Sequence, residues 1–154
     1  MTGKPIVLKT LNALLADELT AVNQYMVHSE MCDNWGYEKL HKAIEKRAVD
    51  EMRHAESLIA RILYLEGSPT VSKLNTITIG KTVKDMVAAD YASEQGAVKS
   101  YNDAIRIAVE AADNGTRELL EKTLKDEEAH IDWLEAQQDQ IEQMGLENYL
   151  ANQA

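Results

Sequence analysis

The chain contains one cysteine, Cys32, which excludes an internal disulfide, a Cys-x-x-Cys metal knuckle and a dithiol redox pair, and leaves a buried free thiol as its expected state. No uninterrupted apolar run approaches the roughly 20 residues that a membrane span requires. The opening "MTGKPIVLKT" lacks the basic start, apolar block and small-residue cleavage site of an export signal, so a cytoplasmic protein is expected. Clusters of positive charge are also missing: 16 Lys and Arg face 26 Asp and Glu, a formal charge of -10. That balance excludes nucleic acid as a natural partner and favours the attraction of cations. Prolines occur only at 5 and 69, so long stretches run without a helix breaker.

Between glycines 36, 67, 115 and 145, apolar residues recur at helical spacing, as in Leu11, Leu14, Leu15, Val22 and Tyr25 or Leu40, Ile44, Leu58 and Ile62. The pattern predicts four amphipathic helices, roughly 5–34, 38–66, 83–112 and 116–144, and a short fifth at about 146–152 after Gly145. Residues 68–80, "SPTVSKLNTITIG", combine β-branched and turn residues and read as an extended crossover from one end of the bundle to the other. The expectation is a single all-α domain over 1–154: an antiparallel four-helix bundle with one long crossover and a C-terminal appendage.

The two halves repeat. "ADELTAVNQY" (16–25) aligns with "ASEQGAVKSY" (92–101) at an offset of 76, and the same offset lays "DEMRHAESL" (50–58) on "DEEAHIDWL" (126–134). Each half thus carries a Glu, then 33 residues on a second Glu, then three further on a His: Glu18, Glu51, His54 and Glu94, Glu127, His130. All four glutamates interrupt apolar stripes. Glu18 lies four residues from Leu14 and Val22, and Glu51 lies seven from both Ile44 and Leu58. Counting to the turns brings Glu18 and Glu51 to one height in the bundle, whereas for Glu94 and Glu127 the count fits less well and the match rests on the repeat.

Four inward carboxylates in one core demand positive charge, since a buried ionised carboxylate costs several kcal/mol uncompensated. Lys46, Arg47 and Arg53 are the cations near Glu51 in sequence, too few to neutralise four acids. Two divalent ions balance four glutamates and two neutral imidazoles, and Glu-x-x-His puts two ligands on one helix face. Oxygen-rich ligation with two imidazoles and no thiolate suits Fe or Mn and leaves Zn as a competitor. One Glu from each of two helices and Glu-x-x-His from each of the others is the known donor set of ferritin-like di-iron bundles, so the match is recognised and not deduced.

With those six residues assembled, and with "NALLADELTAVNQY", "RILYLEG", "LKDEEAHIDWLE" and "QMGLENYL" in order along nearly the whole chain, the sequence resembles the bacterioferritins. The resemblance implies iron storage and detoxification by a ferroxidase centre in which Glu51 and Glu127 bridge two irons while Glu18 with His54 and Glu94 with His130 complete each ion. Fe(II) would be oxidised by oxygen or peroxide and stored as a ferric mineral in a hollow shell of twenty-four subunits, released with a ferredoxin-like reductant. It further implies a b-type haem shared between two subunits, with Met52 as axial ligand and a slot formed by Ala48, Ala55, Ile59, Leu19, Asn23 and Met26, Arg53 being a candidate for a propionate. Asn34, Glu66, Asp132 and Asp139 stand where relatives line a pore, and Tyr25 and Trp133 where they place aromatics near the iron. Lys46 and Leu58 depart from relatives that carry a histidine and a tyrosine there. Trp35 and Tyr37, near the first turn, are candidates for subunit contacts. Two alternatives stay open: a di-metal carboxylate oxidase acting on an organic substrate, and a non-catalytic haem-binding bundle whose acids are quenched by Lys46, Arg47 and Arg53.

Overall fold

A computed structural model describes residues 1–154. Four long helices, α1 (Pro5–Asn34), α2 (Glu38–Tyr64), α3 (Val83–Glu110) and α4 (Asn114–Met144), are followed by the short α5 (Leu146–Ala151). The expected bundle is present, with α2 and α3 each ending two residues early and α4 starting two residues early. Each boundary has a local cause. Pro5 opens α1 at a position whose N–H needs no helical partner. Thr82 Oγ1 accepts from Asp85 N at 3.2 Å and Asp113 Oδ1 from Thr116 N at 3.0 Å, so α3 and α4 start on side-chain caps. Gly36 adopts φ +83° where the chain turns from α1 to α2, and Gly145, at +81°, separates α4 from α5.

The crossover, residues 65–82, runs beside α1 from one end of the bundle to the other, but it pairs with no strand. Its N–H groups are taken by α1 side chains instead. Thr70 N donates to Asn12 Oδ1 (2.8 Å), Asn75 N to Thr20 Oγ1 (2.8 Å), Thr78 N to Gln24 Oε1 (3.1 Å) and Gly80 N to His28 Nε2 (2.9 Å). Positions 12, 20, 24 and 28 lie on a row that winds about 40° round α1 for every four residues, a polar row that follows an otherwise unpaired strap as it crosses.

The apolar core is divided. One cluster gathers Val7, Leu11, Leu14, Leu15, Leu58, Ile62 and Tyr101, and the other gathers Tyr25, Cys32, Leu40, Ile44, Met86, Val87 and Leu134. Cys32 is buried and unpaired as expected, its thiol raised to about 11 by burial and by Asp90. Between the two clusters lies a layer of buried glutamate and histidine.

Candidate metal centre

Helix ends and acids share one register. Glu18 stands 16 residues before the end of α1 and Glu51 stands 13 after the start of α2; Glu94 and Glu127 stand at the same distances from the end of α3 and the start of α4. At about 1.5 Å per residue the two members of each hairpin differ by only about 4.5 Å in height. The poorer fit expected for the second hairpin came from placing the reversal at Asn114, when the chain already turns at Ala111–Asp113 and Asn114 opens α4.

All six residues meet in the core, buried, in two groups: Glu18, Glu51, His54 and Glu127, and Glu51, Glu94, Glu127 and His130. Glu51 and Glu127 belong to both. His54 Nδ1 lies 2.9 Å from Glu127 Oε1 and 3.5 Å from Glu18 Oε2, and His130 Nδ1 lies 3.1 Å from Glu51 Oε1 and 3.3 Å from Glu94 Oε1. Despite this closeness, Glu18 Oε2, Glu51 Oε1, His54 Nδ1, Glu94 Oε2 and both Glu127 oxygens form no aligned hydrogen bond. Orphaned polar atoms at such depth are costly. Donors that crowd together without pairing are what a shared cation would satisfy, and oxygen with imidazole nitrogen fits iron.

The two histidines and the two unshared glutamates are each held from outside, and the holding groups obey the same repeat. His54 Nε2 meets Asp126 Oδ2 at 2.9 Å and His130 Nε2 meets Asp50 Oδ2 at 3.1 Å, each aspartate reaching across between α2 and α4. Tyr25 donates to Glu94 Oε1 at 2.5 Å and Tyr101 to Glu18 Oε1 at 2.7 Å, across between α1 and α3. Asp50 and Asp126, like Tyr25 and Tyr101, are 76 residues apart. An aspartate on Nε2 fixes the ring proton there and aims the Nδ1 lone pair into the centre. Asp50, Asp126 and Tyr101 were missed from sequence as ligand supports, although the offset that paired the ligands pairs the two aspartates with each other and Tyr101 with Tyr25.

Crowded like charges govern the protonation. Burial, then the charges of Glu18 and Glu127, push Glu51 well above the usual carboxylate range, and burial with the contact to Glu127 raises Glu94 to about 8. Burial disfavours the charged rings of His54 and His130, but the surrounding glutamates override it and raise them to about 11 and about 10. For Glu127 burial is likewise overridden, by Glu94 and the two histidines, and it is held below the usual range. Protons therefore do the work of positive charge wherever a cation does not.

Arg47 does not pair with the glutamates: its guanidinium lies 3.6 Å over the ring of Trp133, buried, and burial lowers its pKa. Lys46 is exposed, and Arg53 pairs with Glu56 at 3.4 Å on the surface, so no sequence cation neutralises the layer. Arg53 thereby has a protein partner outside the methionine groove. Met52 points out of the bundle, 46% exposed, into a groove of about 270 Å³ shared with Val22, Met26, Ala48 and Val49. Ala55 is instead turned into the core and Ile59 packs against it, so they do not line that groove; nor do Leu19 and Asn23. Asn34, Glu66, Asp132 and Asp139 are exposed, and Leu58 is core. Trp35 is exposed and meets Tyr37 edge-to-face at 6.3 Å between ring centres.

A second cavity, about 230 Å³, opens between α1 and α3 and reaches Glu18, Glu51 and Glu94. Its walls are small, Ala21, Ala92, Ser93, Gly96, Ala97 and Ser100, and Asp17 and Asn75 stand with them, Asn75 donating to Asp17 at 2.6 Å.

The ferritin-like domain family matches residues 8–144. A bacterioferritin of Mycobacterium avium is 42% identical over 151 residues, 98% of this chain and 95% of that protein. A bacterial ferritin of Synechocystis sp. is 44% identical over 154 residues, 99% of each, and a bacterioferritin of Brucella melitensis is 39% identical over 149 residues, 97% of this chain and 92% of that protein.

Proposed function

We propose, for a chain that belongs to the ferritin-like family and within it to the bacterioferritins, and whose role is therefore iron storage, that each bundle is a ferroxidase working through Glu18, Glu51, His54, Glu94, Glu127 and His130. The observation that carries this is the pair of overlapping donor groups with orphaned atoms, which asks for two cations 2+ in charge against four carboxylates. Glu51 and Glu127, common to both groups, are assigned as bridges. Glu18 with His54 and Glu94 with His130 are assigned one ion each.

Two Fe(II) ions held side by side are the substrate. Each yields one electron, and the pair reduces oxygen to peroxide, or peroxide to water, with protons drawn from solvent. The protein's part is positioning: Asp126 and Asp50 hold the imidazoles, and the phenols of Tyr101 and Tyr25 hold the terminal glutamates. The cavity between α1 and α3 gives ions and oxygen a polar path to the carboxylates.

Assembly and haem complete the proposal. The exposed apolar residues Met26, Val27, Val49 and Met52 share the α1–α2 face, which supports its packing against a second copy and, from there, a closed twenty-four-subunit shell in the cytoplasm. The groove fits the edge of a flat apolar group, with the Met52 thioether as the ligand of a haem shared between two subunits. When bound, that haem supplies a one-electron carrier for returning electrons to stored Fe(III), fed by a ferredoxin-like donor. The test of the function is aerobic addition of Fe(II) to the purified protein: rapid oxidation and a ferric core inside a particle many times 17.2 kDa support it, and slow oxidation by a 17.2 kDa species overturns it.

A further inference from the structure

We propose, resting on the ferroxidase reading of the buried centre, that oxidised iron leaves through the groove between α2 and α4 beside His54, and that Arg47 stacked on Trp133 closes the matching opening beside His130. The two ion positions are then alike in ligands and unlike in access. The groove, about 560 Å³, is lined by His54, Ser57, Leu119, Lys122, Thr123 and Asp126 among others. Helix α1 packs on α2 and α3, and α4 on α3 and α2, so the α2–α4 side lies opposite the α1–α3 cavity and the centre has an opening on each of two faces.

The repeat shows what differs between the two halves of the α2–α4 side. At the 76-residue offset Ser57 corresponds to Trp133 and Thr123 to Arg47. Ser57 follows His54 by three residues as Trp133 follows His130, and Thr123 precedes Asp126 by three as Arg47 precedes Asp50. That spacing puts each side chain beside the imidazole or the aspartate that holds it. Next to His54 the place is taken by two small hydroxyls; next to His130 it is taken by a guanidinium 3.6 Å over an indole. Arg47 is buried, and its Nε and Nη1 find no hydrogen-bond partner, so stacking on Trp133 keeps it there against a polar cost.

Charge differs in the same sense. Gly115, Glu118 and Lys122 of the groove correspond to Lys39, Lys42 and Lys46, so the His130 side carries four cations with Arg47, where the groove carries Lys122 and Arg53 beside Glu118. Arg53 is paired with Glu56 and Lys42 with Glu38, which leaves Lys122 alone on one side and Lys39, Lys46 and Arg47 on the other. A cation leaving the centre therefore meets the lower barrier beside His54. Both imidazoles are equally covered at rest, 8% exposed, each under its aspartate. Asp126 is 56% exposed against 34% for Asp50, so it can turn into solvent and offer the departing ion its first oxygen outside the centre.

The experiment reads ion movement without electron transfer. Assembled full-length protein is loaded with two Co²⁺ per chain, and release into excess chelator is followed by the loss of Co²⁺ absorption. A Gly96→Leu background fills the α1–α3 cavity and leaves the α2–α4 side as the route. Ser57→Trp with Thr123→Arg, which copies the His130 side into the groove, should slow release about tenfold or more, a barrier higher by about 1.4 kcal/mol. Ser57→Trp alone, at an exposed position that leaves the fold intact, should slow it as well. Arg47→Thr, which copies the groove onto the His130 side, should speed release about threefold, a barrier lower by about 0.7 kcal/mol. With Gly96 kept and Fe(II) added in air, the groove variants should slow sustained oxidation more than the first turnover. Slowed Co²⁺ release supports the passage even in a protein that fails to oxidise Fe(II), a failure that would overturn the ferroxidase alone. Unchanged release in both groove variants would overturn the passage, and unchanged release in Arg47→Thr would overturn the closure.

Discussion

Replacing Glu18 by Gln should stabilise the metal-free protein and destabilise the metal-loaded one. Glu18 is 1% exposed; its Oε1 accepts from Tyr101 at 2.7 Å, and its Oε2 has no hydrogen bond and lies 3.5 Å from His54 Nδ1. Glutamine keeps the shape and the acceptor for Tyr101 and removes one of four like charges. Repulsion between two carboxylates about 4 Å apart runs from about 1 kcal/mol in water to about 4 kcal/mol at an effective dielectric near 20, so relieving it is worth about 1–4 kcal/mol. For a domain of this size each kcal/mol moves Tm by roughly 2–4 °C, so a rise of several degrees is expected with chelator present. With Zn²⁺ as a redox-inert ion, saturation at about 100 times Kd contributes about 2.7 kcal/mol in the parent. The loss of a charged ligand that weakens binding tenfold removes about 1.4 kcal/mol of that, and the amide does nothing to restore it. Calorimetry of parent and variant, each with chelator and with Zn²⁺, gives four melting temperatures; the metal-induced rise should be smaller in the variant, and Fe(II) oxidation slower. If the variant gained as much from Zn²⁺ as the parent does, Glu18 would not be a ligand and the charge argument would fail with it.

Asp126→Asn, which weakens the hold on His54 Nε2, should reduce metal affinity about 10–100-fold at one ion and leave the other, a difference that titration with Co²⁺ resolves. The chelated protein should lose stability as pH rises from about 5 to 8. Glu94 at about 8, His54 at about 11 and His130 at about 10 all keep protons that the unfolded chain has released, whereas the depressed Glu127 adds slope only below its ordinary value. Saturating Zn²⁺ should flatten that dependence, and a Tm that climbs with pH in chelator would refute the assignment of charge. Gly96 has open space where a side chain would go, so Gly96→Leu should fill the α1–α3 cavity and slow Fe(II) oxidation without lowering Tm. Met52→Leu should leave assembly and oxidation intact, abolish the haem spectrum and slow reductive iron release; an unchanged haem spectrum would remove Met52 as ligand.

Periodicity and the repeat carried the fold and the six candidate ligands because both are properties of spacing. A glutamate seven residues from leucine on either side has nowhere to point but inward, whatever the loops do. Boundaries were less accessible: two residues of α3 turned on where the chain reverses, and Ala112, at φ +56°, does there what Gly36 does in the first hairpin without advertising it in residue type. The strap was legible as an extended crossover, but its partners, a row of polar side chains on α1, are visible only once the two are laid together. Arg47 shows the limit of proximity in sequence. Four residues from Glu51, it was a fair candidate to neutralise the acids, yet its guanidinium stacks on Trp133.

The two-fold relation also tells where to look for what one half does alone. Ligands, their aspartates, their tyrosines and the helix ends at each hairpin turn all repeat at 76 residues, so the buried centre is built twice over from one hairpin design. Departures from the repeat then mark jobs that belong to a single hairpin. Met52 corresponds to Glu128, and only the first hairpin has the apolar groove. His28 corresponds to Ala104 and Gln24 to Ser100, and only α1 has a strap to hold. His41 corresponds to Arg117, which holds Glu121 at 2.8 Å where His41 stands 3.7 Å from Glu45. The symmetric positions thus set the chemistry at the centre, and the asymmetric ones set what the outer face of α1 and α2 can bind.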